Sequence, residues 1–114
     1  MSTSLHEPTD VAQAPMELLR GMLEEAFSAH TARLTELTVV SRLPDRGGYD
    51  AHALELLTVS HRRGVADTAR ALRRMAEGTY GLCAGCGKQI PLGRLHAAPH
   101  VPQCALCQPA EGDA

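Results

Sequence analysis

The chain has 114 residues and a formal net charge of −2, enough for one modest domain and without the global basic field that draws a protein to nucleic acid or an anionic membrane. Its aromatic content is only 3%, with two Tyr, one Phe and no Trp, which fits paired helices better than an aromatic-rich sandwich or barrel core. No apolar run is long enough to span a bilayer. Met1 to Ala14 is polar and lacks a basic n-region and an apolar h-region, so no secretory signal is expected and the chain is placed in a reducing cytoplasm.

Residues 1–14 show no hydrophobic periodicity and are expected as a disordered N-terminal tail. Pro15 suits the first turn of a helix, where its missing N–H costs nothing. From there Met16, Leu19, Leu23, Phe27, His30, Leu34 and Leu37 recur at steps of three and four, one apolar stripe on a helix that runs to about Arg42. Leu43-Pro44-Asp45-Arg46-Gly47-Gly48-Tyr49 breaks the pattern, because Pro44 disfavours helix before it and the Gly pair permits a reversal. Asp50 is placed to cap a second helix, which carries Leu54, Leu57, His61, Val65, Ala69, Leu72 and Met75 and stops near Gly78.

Two arms of similar length joined by a short turn fold back as an antiparallel helical hairpin, a short coiled coil over residues 15–78 with its turn near 43–49. With the reversal near Gly47, facing residues have numbers summing to roughly 94 or 95, and each arm of about 28 residues is about 42 Å long. That rule sets Leu37 against Leu57, Leu34 against His61, His30 against Val65, Phe27 against Thr68 or Ala69, Leu23 against Leu72, and Leu19 against Met75. Gly64, in mid-helix, reads as a defect costing about 1 kcal/mol relative to Ala. His30 and His61 read as half-buried seam residues close to each other, because the stripe offers no further metal ligands. Arg62, Arg63, Arg70, Arg73 and Arg74, with Asp67 among them, read as a solvated basic face.

Residues 79–108 hold the chemistry. Cys83-Ala84-Gly85-Cys86 and Cys104-Ala105-Leu106-Cys107 form two CxxC pairs separated by seventeen residues. Two residues between thiolates let both sulfurs of a turn face one tetrahedral ion, and the spacer returns the second turn to close the shell. The expectation is one structural Zn²⁺ on Cys83, Cys86, Cys104 and Cys107. A thioredoxin-like pair needs only one CxxC in a βαβ setting, and two disulfides need an oxidising compartment. His96 and His100 lie in the spacer and read as surface residues, since four Cys already complete the shell. The fold class is therefore mostly α: a long antiparallel helical hairpin carrying a small four-cysteine zinc-finger head.

The stretch Gly78-Thr79-Tyr80-Gly81-Leu82-Cys83-Ala84-Gly85-Cys86-Gly87-Lys88-Gln89-Ile90-Pro91-Leu92-Gly93-Arg94-Leu95, continued by Ala97-Ala98-Pro99 and Cys104-Ala105-Leu106-Cys107-Gln108, resembles the zinc-finger signature of the DksA/TraR family. The preceding hairpin agrees with that family in architecture. The resemblance implies a cytoplasmic bacterial transcription regulator that binds RNA polymerase directly rather than DNA. It implies a hairpin inserted in the secondary channel, a zinc head on the rim, and an effect on promoter complexes often exerted with ppGpp. Carried onto this chain, it implies polymerase-contacting residues Asp45, Asp50 and Ala51 at the hairpin tip and rim contacts at Arg94 and Lys88. The family's better-studied members carry Asp-x-x-Asp-x-Ala at the tip, whereas this turn reads Asp45-Arg46-Gly47-Gly48-Tyr49-Asp50-Ala51. Two basic positions that help hold ppGpp are Ala98 and Gln108 here, so ppGpp dependence is expected to be weak or lost. Pro109 to Ala114 is expected as a short acidic tail where longer relatives continue into a helix.

Two other readings stay in view. A zinc-stabilised interaction adaptor would keep the scaffold without acting on polymerase. A nucleic-acid-binding zinc ribbon would use the Arg62–Arg74 face, against a negative net charge and few aromatics. Nothing in the sequence resembles a nucleophile–base pair, a phosphate loop or an open metal site, so no enzyme is expected.

Overall fold

The computed structural model describes residues 2–108, with side chains from Pro15 onward. Helix α1 spans Ser2–Ser41, a 3₁₀ turn spans Arg46–Gly48, α2 spans Ala51–Glu77 and the short α3 spans Leu92–Ala97. Helices α1 and α2 pack along their length as the hairpin, and the molecule measures 65 × 35 × 21 Å. Among the described residues no helix is long and apolar enough to cross a membrane.

The start of α1 differs from the sequence expectation. The helix begins at Ser2 instead of Pro15, so the backbone of residues 2–14 continues the first arm where an aperiodic tail was expected. Hydrophobic periodicity reports which face is buried, and a nucleated helix extends by one backbone bond per residue without any apolar stripe. Pro15 thus lies inside the helix, where its ring removes one backbone bond.

The reversal is held by local hydrogen bonds. The Asp45 carboxylate accepts the Gly47 N–H at 3.0 Å, and the Asp50 carboxylate caps α2 by accepting the Ala53 N–H at 3.0 Å. Arg46, Gly47 and Gly48 all take positive φ, of 50°, 61° and 85°, a left-handed run that the glycine pair makes affordable. Arg33 ties the turn back to the stalk, donating to the Tyr49 hydroxyl at 3.0 Å and to Glu36 at 2.7 Å. At the other end of α2, Gly78 takes φ 80° and donates to the carbonyls of Arg74 and Met75, a left-handed helix stop.

The seam between the arms uses the expected face of α1 and a rotated face of α2. Leu19, Leu23 and Leu37 are each 1% exposed on α1. On α2 the buried residues are Leu54, Thr68 and Ala71, whereas the apolar stripe placed Ala69 and Leu72 on the seam; both of these are only half-buried. The facing line therefore runs through small residues, Gly64, Thr68 and Ala71, opposite the bulky side chains of α1. Thr68 satisfies its hydroxyl internally by donating to the Gly64 and Val65 carbonyls, a back-bond open to a buried threonine in a helix. Small side chains let helix axes approach, and large partners fill the space they leave.

Gly64 is the clearest case. A β-carbon there would stand 2.5 Å from the His30 ring, so the residue that looked like a defect makes room for a partner. His30 meets His61 as expected, with the two Nδ1 atoms 2.9 Å apart and the ring centroids 5.1 Å apart.

At the base, the head packs on the hairpin through one core of Leu19, Leu23, Ala71, Tyr80, Cys83, Ile90 and Leu95. Met16, Met22, Leu72, Met75 and Val101 pack around it. A zinc ligand, Cys83, is itself a member of that core.

Substituting Gly64→Ala should destabilise the zinc-loaded protein by about 1–3 kcal/mol through overpacking, even though Ala is the better helix former. The double variant His30→Ala/Gly64→Ala should recover part of the loss in urea unfolding. A stabilised single variant would show that the arms are not in this register.

Candidate metal centre

Both CxxC turns are shaped by backbone bonds around the cysteines. In the first, Leu82 and Gln89 form an antiparallel bridge, Cys83 N–H donates to the Lys88 carbonyl at 2.8 Å, and Gly87 N–H donates to the Cys83 carbonyl at 2.9 Å. In the second, the N–H groups of Cys107 and Gln108 donate to the Cys104 carbonyl at 3.1 and 2.8 Å. The turns are joined directly, because Ala84 N–H donates to the Pro102 carbonyl at 2.8 Å. Tyr80 closes the loop between them, its hydroxyl donating to the Pro99 carbonyl at 2.9 Å.

This framework brings the four sulfurs of Cys83, Cys86, Cys104 and Cys107 within 4.8 Å of one another. Cys86 Sγ and Cys104 Sγ stand 3.8 Å apart, the edge of a tetrahedron whose centre lies about 2.3 Å from each sulfur, the zinc–thiolate distance. Gly85 permits that closeness. A β-carbon there would be 3.1 Å from Cys107 Sγ and 3.0 Å from Gln103 Nε2. His96 and His100 do not join the cluster.

The electrostatics of the cysteines are uneven. Cys83 Sγ is held well below the usual thiol range, at about 6, chiefly by the Cys104 N–H, with the Cys86 and Gly85 N–H groups adding to it. Those three donors stand 3.3, 3.4 and 3.3 Å from the sulfur, and N–H groups aimed at a thiolate favour the charged form. Cys107 is pushed up to about 12 because its thiol shares hydrogen bonds first with Cys83, then with Cys104 and Cys86. Cys104 is lowered as well, chiefly by the Cys107 N–H. Sulfurs drawn towards the thiolate form beside a Cys107 thiol that keeps its proton make a cluster suited to a dication, which displaces the remaining protons on binding. Donor type, spacing and geometry fit one Zn²⁺ in a closed four-sulfur shell, and such a shell is structural because no position is left for substrate.

Other site residues named from the sequence lie apart from this centre. Asp45, Asp50 and Ala51 are exposed together at the hairpin tip, at the opposite end of the stalk. Lys88 is exposed on the head. Arg94 is half-buried and spends its guanidinium internally: Nε donates to the Gln103 carbonyl at 3.1 Å and Nη2 to the Gln108 carbonyl at 3.0 Å. Those carbonyls flank the second CxxC turn, so Arg94 braces a ligand loop from α3. Sequence spacing gave no sign of that role, because its partners are backbone atoms nine and fourteen residues away. Beside the brace lies a mostly apolar groove of about 530 Å³ between α3 and the second turn, lined by Lys88, Pro91, Arg94, Ala98 and Leu106. Leu106 is 93% exposed.

Arg94→Ala should weaken zinc retention about tenfold, since outer-shell partners of a metal site typically carry effects of that size. Arg94→Lys should not restore it, because an ammonium cannot reproduce the two-pronged contact. Competition against a chromogenic chelator reads both variants, and unchanged zinc release in Arg94→Ala would remove the brace from the account.

Residues 78–111 match the family described as the prokaryotic dksA/traR C4-type zinc finger. An uncharacterized protein of Aquifex aeolicus (strain VF5) is 49% identical over 37 residues, covering 32% of this chain and 26% of that protein. General stress protein 16O of Bacillus subtilis (strain 168) is 50% identical over 32 residues, covering 28% of this chain and 20% of that protein. The matched part thus spans about a quarter of the length of the first relative and a fifth of the second. The structure of transcription factor DksA2 from Pseudomonas aeruginosa aligns over 83% of this chain and 81% of that one, with a TM-score of 0.68 and 25% identity. The chain carries a zinc finger of the dksA/traR C4 type at the base of a DksA-like helical hairpin.

Proposed function

We propose that this protein is a cytoplasmic transcription regulator that acts by binding RNA polymerase directly, with no catalysis of its own. The hairpin enters the secondary channel and the zinc head stays on the rim. The observation that carries this reading is the placement of exposed carboxylates at the far end of a stalk whose base bears a dksA/traR-type finger. Helix α2 has 27 residues and so reaches about 40 Å, enough to carry a tip into a deep, narrow slot that a compact domain cannot enter. The likeness to a transcription factor of the DksA type supports the same direction.

Within this reading Asp45, Asp50 and Ala51 meet the polymerase interior. Each carboxylate offers one oxygen to a local backbone N–H and has accepting capacity left for basic groups or a bound Mg²⁺. On the head, Lys88 and the apolar groove with Leu106 supply the rim contact, while Arg94 contributes by fixing the groove wall. The ppGpp response is weak or absent, because Ala98 carries no charge and Gln108 stands where a cation would meet phosphate. The Gln108 carbonyl already accepts from Arg94, and its side-chain oxygen is buried without a partner.

The test is a promoter-complex lifetime measurement with purified polymerase and the zinc-loaded protein. The native chain should change the lifetime, with little further change on adding ppGpp. Asp45→Asn/Asp50→Asn should still bind core polymerase but lose most of the effect, since Asn keeps both the turn and the cap while removing charge. No binding to core polymerase and capture of a different partner would favour the adaptor reading instead. Clear potentiation by ppGpp would overturn the assignment for Ala98 and Gln108.

A further inference from the structure

Halfway along the stalk, far from the four cysteines, two imidazoles from different arms face each other with Nδ1 atoms 2.9 Å apart. We propose that His30 and His61 form a second metal site, a two-histidine clamp for a late divalent transition metal of the Ni²⁺ class that links the two arms of the hairpin.

Three features converge. The first is the bite. Two cis ligands at about 2.1 Å on an octahedral ion stand about 3.0 Å apart, and imidazole suits Ni²⁺ and its neighbours. The observed separation is that of a hydrogen bond and lies close to that edge, so chelation asks the rings to turn without the arms moving apart. The second is room on a fixed backbone. His30 and His61 project from packed helices, and Gly64 leaves the His30 ring its place, since a β-carbon there would stand 2.5 Å from it. The third is access. Both histidines are half-buried, so one side of the pair faces the packed seam and the other reaches solvent, which supplies water for the remaining coordination positions.

The present contact is a hydrogen bond in which one ring donates through Nδ1–H and the other accepts. For chelation the donating ring moves its proton from Nδ1 to Nε2, a change of tautomer without net proton release. Both rings then turn about the Cβ–Cγ bond until the two lone pairs meet at a point beside the N···N line. With both arms on one ion, the folded hairpin is stabilised by any metal that binds it and not the unfolded chain.

The experiment uses the full chain with its cysteines loaded with zinc, so that added Ni²⁺ meets a closed four-sulfur shell. Titration calorimetry should show one Ni²⁺ per chain, and NMR should show the ring protons of His30 and His61 broadened together at the lowest Ni²⁺ ratios. His30→Gln and His61→Gln should each abolish that site. His52→Gln, at an exposed position of α2, should leave it intact. Zinc content and helical circular dichroism report whether each variant remains folded. The NMR measurement on the native chain needs no variant at all. Broadening confined to His6, His52, His96 and His100, or no Ni²⁺ uptake by the zinc-loaded protein, would overturn the proposal. Neither result depends on whether the protein binds polymerase.

Discussion

Four thiolates are stable side by side only when a cation neutralises the group. That condition organises the head of this protein. Among its described residues the head has one isolated bridge and a single six-residue helix, far too little regular structure to hold itself. Its order comes from two turns brought to one point and from the few buried groups behind them, Tyr80, Cys83, Ile90 and Leu95. Because Cys83 is both ligand and core residue, the metal's binding energy is also packing energy. The same atom that takes three backbone N–H groups is pressed against the base of the hairpin. The head is therefore coupled to the stalk through a ligand, and losing the ion would loosen the joint as well as the finger.

Seen from that joint, the stalk is built in two zones. Near the base, large α1 side chains close on small α2 residues and the whole is anchored by the head. Towards the tip burial thins to Leu37 and Leu54, and order depends on directed local bonds: Asp45 on its turn, Asp50 on the start of α2, Arg33 on Tyr49. The groove beside this zone is lined by Thr38, Ser41, Arg46, Thr58 and Arg62 as well as apolar groups. Val39, Leu56 and Val59 near the same end are about half exposed or more. A tip of this kind is an accessible surface on a stiff support.

How much of this was legible in the sequence follows from the kind of interaction involved. The metal ligands were, because tetrahedral chelation by a turn demands two cysteines at fixed spacing and nothing else in a chain of this composition does. The hairpin was, because α1 buries a regular apolar stripe and LPDRGGY cannot continue a helix. The α2 face was read about one residue out of place. An apolar stripe runs through Ala69 and Leu72, with Thr68 offered beside Ala69 opposite Phe27, whereas close helix approach selects Gly64, Thr68 and Ala71, and only the partner helix reveals that choice. Gly64 looked costly for the same reason: its use lies in the His30 ring across the seam. Arg94 was read as an outward contact because a cation near a metal turn looks like a surface group, and its carbonyl partners leave no mark in residue identity. Residues 2–14 were read as a disordered tail because periodicity reports burial, whereas the backbone there continues α1 and helix can extend by backbone bonds alone.

The two-zone stalk also constrains how the tip can have diverged. An acidic residue that served only for charge could be moved freely along the loop, but here both carboxylates also close backbone geometry. Asp45 must sit two residues before the N–H it accepts; Asp50 must sit three before its own. Between them Arg46, Gly47 and Gly48 occupy left-handed backbone, which fixes where the glycines fall. The spacing of the two acids is therefore set by the shape of this reversal, and a departure from another spacing means a differently shaped turn rather than a damaged copy of the same one. Two carboxylates stand at the tip, and the left-handed turn sets the path between them. What such a turn presents to a partner is consequently decided by the direction in which the free carboxylate oxygens point, and the caps hold that direction fixed.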